Sequence, residues 1–357
     1  MSWFACGGRG TYGAAMHGWI LLDKPLGLGS TQGVSAVKRA LREGGYAKAK
    51  VGHGGTLDPL ATGVLPIALG EATKLAGRML DSDKVYDFTI QFGVETDTLD
   101  AEGKSIADSD VRPTLAQIEA VLPRFTGPIE QVPPAYSALK VDGERAYDLA
   151  RAGETVVLKS RAVTIYGLDV VPPPTDGHPG ESRDPFATPP AAGTGTATPM
   201  DPGFRRDDGL ACGSITAVSA RAALKDITLR AHVSKGTYIR SLARDIAHAL
   251  GTVGHVTYLR RIKAGPFTLD QAISLDFLAD AAKQRRLEDI CLPLRAGLDD
   301  IPALFLIPDQ AGLLRQGRVL VGIAKDDGLY FALLGDIPVA LVEAEAGSIR
   351  VVRGFNL

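Results

Sequence analysis

The stretch Val51-Gly52-His53-Gly54-Gly55-Thr56-Leu57-Asp58-Pro59-Leu60-Ala61-Thr62-Gly63 holds the most unusual chemistry in the chain. Asp58 stands alone among Leu57, Pro59 and Leu60. The following proline pushes it out of the helical region into an extended conformation. A carboxylate in such apolar company is costly unless a cation pairs with it. Two readings follow: a turn aspartate that accepts backbone amides, or a charged carboxylate held ready for chemistry. The glycines allow tight turns and close backbone approach. They do not make a nucleotide loop, because neither G-x-x-x-x-G-K-[ST] nor G-x-G-x-x-G is present.

Ser234-Lys235-Gly236-Thr237-Tyr238-Ile239-Arg240 offers the cation. The spacing that follows predicts a helix over Thr237–Leu250, which puts Arg240 in its first turn, where the macrodipole disfavours positive charge. An arginine there points to an anionic partner, a carboxylate or an RNA phosphate; the plain alternative is a surface arginine. Tyr86 shares a strand face with Phe88, Ile90 and Phe92 and reads either as a core tyrosine or as a flat ring at a pocket mouth, able to stack on a base. Lys74, Arg78, Lys84, Arg145, Arg260, Arg261 and Lys263 are interleaved with these segments. Scattered, they are a solvated surface; gathered around one cleft, they are a phosphate track.

The elements that must position these groups are marked by periodicity. Trp19-Ile20-Leu21-Leu22 is an apolar strand. A helix opens at Ser30, capped by Ser30 or Thr31, with Val34, Val37, Ala40 and Leu41 on its apolar stripe. Val85 to Gly93 alternates as a half-buried strand. Thr114 and Gln117 form a capping box before Leu115, Ile118 and Leu122. Strands follow at Ala162–Val171, Ser214–Arg221 and Ile227–Val233, and Gly251 ends the helix carrying Arg240. Residues 172–213 are rich in Pro and Gly and read as a disordered insert, a long mobile hairpin tip, with a functional lid as the sharper alternative. From Phe305 onward, short apolar runs separated by Gly-Asp and Ala-Gly turns predict a small β-rich domain.

The chain has 357 residues, 45% of them hydrophobic and 22% charged, which is enough to bury a full core and suggests about two domains. A formal net charge of −2 does not mark a nucleic-acid binder, although a local basic groove can coexist with it. Cys6, Cys212 and Cys291 are too few and too scattered for a disulfide framework or a zinc site, and no histidine pair has metal-ligand spacing. No apolar run approaches the roughly 20 residues that span a bilayer. Residues 1–17 read as a disordered leader without a signal peptide's apolar segment, and Met16 is an alternative start. A cytoplasmic setting is expected.

The motif Gly55-Thr56-Leu57-Asp58-Pro59-Leu60-Ala61-Thr62-Gly63-Val64-Leu65 resembles the catalytic motif of the TruB family of tRNA pseudouridine synthases. Leu22-Asp23-Lys24-Pro25, Gly70–Lys74, Asp81–Tyr86, Val132–Lys140, Ser234–Arg240, Tyr258–Arg261 and the ending Arg353-Gly354-Phe355-Asn356-Leu357 are similar to family segments in the same order. The resemblance covers about Gly18 to Leu357, the insert excepted. It implies an α+β fold, a mixed and mostly antiparallel sheet with flanking helices. Residues 18–300 would form the catalytic domain and 301–357 a small PUA-like RNA-binding domain. The implied reaction is isomerisation of the uridine at position 55, in the T loop of tRNA, to pseudouridine on a flipped-out base, with no cofactor and no metal. Asp58 would be the nucleophile, Arg240 would pair with it and keep it ionised, and Tyr86 would stack on the uracil and help remove the C5 proton. His53, Tyr238 and Leu259 would shape the uracil pocket, and Lys24 would support it. The expected partner is the T arm of tRNA, with no membrane and no obligate protein partner. The rival readings are a non-catalytic tRNA folding helper on the same scaffold and a guide-dependent synthase in a ribonucleoprotein.

Overall fold

The computed structural model describes residues 15–137, 139–141, 144–152, 158–172 and 222–357. The elements run β1 (Gly18–Lys24), α1 (Ser30–Glu43), β2 (Val51–His53), β3 (Ala61–Leu69), α2 (Ala76–Asp81), β4 (Lys84–Phe92), β5 (Val94–Thr96), β6 (Ser105–Asp108), α3 (Leu115–Val121), β7 (Gly127–Gln131), β8 (Lys140–Val141), β9 (Glu144–Arg145), α4 (Ala146–Arg151) and β10 (Arg161–Val170). They continue as β11 (Asp226–Val233), α5 (Ile239–Ala249), β12 (Gly254–Ala264), β13 (Phe267–Thr268), α6 (Leu275–Lys283), β14 (Leu292–Pro293), β15 (Ala303–Phe305), α7 (Pro308–Arg315), β16 (Leu320–Val321), β17 (Gly328–Leu334), β18 (Ile337–Glu345) and β19 (Ser348–Gly354). The expected strand Ser214–Arg221 and nearly all of the Pro/Gly-rich insert lie outside the described residues. No helix among the described residues is long and apolar enough to cross a membrane.

The expected α+β architecture is present. A ten-stranded sheet has the order β14-β1-β3-β12-β4-β11-β10-β7, with β2 on β3 and β13 on β12. Every pairing in it is antiparallel except β3 with β12, where Ala61, Thr62 and Gly63 lie opposite Leu259, Arg260 and Arg261. Two antiparallel halves therefore meet along one parallel seam.

Each half buries its own core. Phe88, Ile90 and Phe92 of β4 alternate inward with Leu229, Ala231 and Val233 of β11 and pack under Leu242 and Ile246 of α5. Ile20, Leu22, Leu65 and Ile67 take the stripe of α1, Val34, Val37, Ala40 and Leu41, together with α6. The opposite face of β1 and β3, with Trp19, Leu21 and Val64, joins a cluster with Met79, Phe267 and Leu294 that extends to Phe331, Leu333, Leu341 and Phe355 of the C-terminal unit. Burial on both faces is why β1 reads as an unbroken apolar run and not an alternation. The C-terminal unit is a five-stranded sheet, β15-β17-β18-β19-β16, with α7 against it.

Three local details differ from expectation. Gly29 stands at the N-cap of α1, and the Ser30 hydroxyl turns away to receive the Leu57 N–H at 2.8 Å and donate to the Leu57 carbonyl at 2.9 Å. Met16 and His17, assigned above to the leader, are packed: Met16 is buried with the α1 cluster, and His17 Nδ1 accepts the Glu71 N–H. β12, unmarked by any alternation in the sequence reading, is the central strand beside the seam.

The seam depends on Gly63. Its φ is +99°, and a Cβ there would lie 2.2 Å from the Arg261 carbonyl oxygen. Both the left-handed backbone and the close approach exclude a side chain. Gly63→Ala is expected to lower stability by about 2–4 kcal/mol, measured by urea unfolding; a loss below about 0.5 kcal/mol, the ordinary surface range, would contradict this account of the seam.

Candidate active site

The seam opens into a cavity of about 720 Å³. Asp58 in the β2–β3 connection, Tyr86 on β4, Tyr238 and Arg240 at the start of α5 and Leu259 on β12 all line it. Tyr86 and Leu259 are half-buried and touch the cores of both sheet halves. The cavity thus has a floor of ordinary core residues and a carboxylate at its side.

The loop that carries Asp58 is held from three directions. Ser30 pins both backbone groups of Leu57, the residue before Asp58, and the Leu57 side chain is buried. The Lys24 ammonium, from the end of β1, donates to the carbonyls of Pro25 at 3.1 Å, Leu28 at 2.6 Å and Pro59 at 3.2 Å. Arg261 is 1% exposed and reaches out from β12 to the carbonyls of Val64, Thr56 and Gly55. Each cation spends its donors on carbonyls that the loop cannot pair internally, which satisfies buried polar groups at both ends.

Arg240 completes the arrangement. Its Nη2 lies 3.0 Å from Asp58 Oδ2 and donates to the Tyr136 carbonyl at 3.0 Å. Its Nη1 lies 3.1 Å from Asp100 Oδ2 and donates to the Thr98 carbonyl at 2.8 Å. The Arg240 and Asp100 side chains are 9% and 12% exposed, whereas that of Asp58 is 47% exposed. The guanidinium is therefore anchored by its buried partners and presents the accessible carboxylate to the cavity. A fork of fixed N–H groups suits this double duty better than an ammonium would.

Asp100 is itself set by strain. Leu99, buried in the turn between β5 and β6, has φ +62°, a conformation that costs a branched residue about 1–3 kcal/mol. The Leu99 carbonyl accepts the Val256 N–H at 3.0 Å, and Asp100 receives the Thr98 hydroxyl at 2.5 Å and the Glu102 N–H at 3.1 Å. These contacts aim the Thr98 carbonyl and the Asp100 carboxylate at the same nitrogen.

The TruB family pseudouridylate synthase N-terminal domain matches residues 42–176, and the tRNA pseudouridylate synthase B C-terminal domain matches residues 240–299. The tRNA pseudouridine synthase B of Novosphingobium aromaticivorans is 58% identical over 342 residues, 96% of this chain and 98% of that protein. The chain belongs to the TruB family. A relative of the same name from Zymomonas mobilis is 53% identical, over 96% of this chain and 97% of that protein. Among solved structures, the family fold recurs in an H/ACA ribonucleoprotein bound to a substrate RNA containing 2′-deoxyuridine, with TM-score 0.61 and 22% identity over 96% of this chain and 86% of that one. It recurs also in a Cbf5–Nop10–Gar1 complex, with TM-score 0.59 and 25% identity over 92% of this chain and 78% of that one.

In this TruB-family chain the structure brings together Asp58, Tyr86, Tyr238, Arg240 and Leu259, but not His53. His53 lies on β2 outside the cavity lining, its Nδ1 buried without a hydrogen-bond partner among the described residues. Burial, and then the charge of Arg261, hold its pKa below the usual histidine value. Asp100 was missed by the sequence reading, since a short acidic turn carries no periodic signal. Several of the basic residues that could be a solvated surface or a phosphate track have partners within the chain. Lys84 donates to the carbonyls of Met79, Leu80 and Ser82, Arg260 pairs with Asp23, Arg78 with Asp300, and Lys74 with Glu71. These cations, like Arg261, serve the frame; Lys263 is exposed at the end of β12.

Burial pulls the Lys24 pKa down from 10.5 to about 8, against the opposing attraction of Asp58. The folded state thus releases this proton before the unfolded chain does. Between these two values the unfolded chain binds more protons, so Lys24 contributes increasing stability as pH rises. The unfolding free energy of the parent relative to Lys24→Met should therefore shift in the parent's favour between about pH 7 and about pH 9.5. A difference that stays flat or moves the other way in denaturant titrations would contradict it.

Proposed function

We propose that this chain isomerises uridine to pseudouridine in tRNA, at position 55 of the T loop, with Asp58 as the nucleophile. One observation carries the reading: a half-exposed carboxylate held 3.0 Å from a buried arginine, at the side of a cavity floored by Tyr86 and Leu259. Membership of the TruB family, and relatives named tRNA pseudouridine synthase B, support it.

The reaction breaks the bond between N1 of uracil and C1′ of the ribose, turns the base, and joins C5 to C1′. The proton on C5 leaves, and N1 gains one. Nothing is oxidised or reduced. A target base within a folded loop must first be extruded, at a cost of a few kcal/mol. The Tyr86 ring can offset part of it, since a base stacked on an aromatic side chain is worth about 1–3 kcal/mol. Leu259 closes the apolar side of the slot, and Asp58 reaches the base or its sugar from the edge. In this reading Tyr86 also assists removal of the C5 proton. Because Arg240 is fixed by Asp100 and the carbonyls of Thr98 and Tyr136 before substrate arrives, it need not reorganise while charge moves on Asp58.

Purified chain incubated with unmodified T-arm RNA should yield pseudouridine at the T-loop uridine when the product is mapped. Asp58→Asn keeps the shape, removes the charge, and should abolish product while leaving RNA affinity within about threefold, under roughly 1 kcal/mol. Turnover by Asp58→Asn within about tenfold of the parent, a barrier change of about 1.4 kcal/mol, would overturn the assignment.

A further inference from the structure

Tyr238 stands between two spaces. One is the 720 Å³ cavity; the other is a recess of about 210 Å³ that shares Thr56, Tyr86, Thr237 and Tyr238 with it. A ring with room on both sides does not hold its own orientation. The five residues before Ile239 include Gly236 at φ +80°, so the approach to α5 is a turn and not a rigid element.

Two neighbouring side chains on paired strands supply what is missing. Gln131 at the end of β7 lies opposite Arg161 at the start of β10. The Gln131 side chain is almost wholly buried and grips the Tyr238 backbone twice: its Oε1 accepts the Tyr238 N–H at 2.8 Å and its Nε2 donates to the Tyr238 carbonyl at 3.1 Å. The Arg161 guanidinium lies over the Tyr238 ring, 4.6 Å from its centroid, and its Nη2 donates to the Gly236 carbonyl. In this pose Arg161 leaves its Nε–H buried without a partner among the described residues. Farther along, β10 holds the same turn through Ser234, whose hydroxyl accepts the Thr164 N–H and whose own N–H reaches the Thr164 carbonyl.

We propose that Gln131 and Arg161 form a clamp that positions Tyr238, Gln131 fixing its backbone and Arg161 its ring, so that the ring faces the substrate base and not the recess. This rests on the pseudouridine synthase reading of the cavity. Neither residue reaches the reacting atoms; both act through Tyr238.

A double-mutant cycle separates this role from a general structural one. The reaction is followed by single-turnover conversion of T-arm RNA, with RNA affinity measured separately. Arg161→Ala should slow conversion about tenfold, equivalent to about 1.4 kcal/mol, while affinity changes less than about twofold, under roughly 0.4 kcal/mol. In a Tyr238→Leu background, where there is no ring to hold, the same change should slow conversion less than about twofold. Arg161→Lys, which keeps the charge and the reach but loses the flat face, should fall between parent and Arg161→Ala; it replaces Arg161→Ala in the cycle if that variant does not fold. Losses that simply multiply in the Leu background, or an Arg161→Ala rate within about twofold of the parent, would overturn the clamp. A parent that makes no pseudouridine would instead sink the reading of the cavity, and the clamp with it.

Discussion

The guanidinium of Arg240 is a buried charge, and the surrounding chain is arranged so that it never lacks company. Two carboxylates and two carbonyls from three separate segments converge on it at the start of α5: the Asp58 loop, the β5–β6 turn and the segment after β7. Removing one partner of such a group leaves an uncompensated charge in a poorly solvated place, which is far more costly than losing a surface pair. The segments are therefore tied together by a penalty as much as by an attraction. The division of labour among the partners matters most. Those that are buried fix the arginine, and the one that is exposed inherits a fixed neighbour.

The same logic extends outward through Lys24, Arg261 and Lys84. Each is a buried cation with carbonyl partners, and Lys24 and Arg261 grip the loop that carries Asp58. A hydrophobic side chain could fill these positions but could not satisfy loop carbonyls. The chain enters β3, one strand of the parallel seam, from the irregular connection that follows β2, its antiparallel neighbour. The site occupies that irregularity.

Much of this was legible in the residues. Helical spacing marked the start of α1 and the stripe of α3, Gly251 marked the end of α5, and period-two alternation located β4 and β11, because one face of each is buried and local pattern reports burial; β10 was read one residue late. An arginine in a first helical turn and a carboxylate among apolar neighbours each looked unsatisfied alone, and the structure brings them within 3.0 Å. Asp100 gave no such sign: its acidic turn looks solvated, and its meeting with Arg240 spans 140 positions. β12 was hidden because Arg260, Arg261 and Lys263 imitate a surface, when Arg261 is among the most buried side chains in the molecule. Ser30 looked like a helix cap because serine usually is one there; a distant backbone outbid the local one. In each miss, a long-range polar contact overrode a local preference.

The face of β1 that carries Trp19 has a further consequence for how the molecule comes into being. Trp19 packs on Phe267 and donates to the Leu294 carbonyl, and its cluster extends to Phe331, Leu333, Leu341 and Phe355, all joined to the chain long after Trp19 itself. During synthesis β1, β3 and α1 can assemble early, yet one side of that strand pair stays partly bare until Phe267 and Leu294 follow, and its cluster closes only with the C-terminal unit. An exposed apolar sheet face of this kind is a hazard for a nascent chain at ordinary cellular concentrations. The C-terminal unit is thus also the closing piece of a cluster that begins at β1, the first of the described strands. Premature termination shortly before Phe331 would release a chain whose Asp58 loop is already encoded but whose cluster around Trp19 is unfinished.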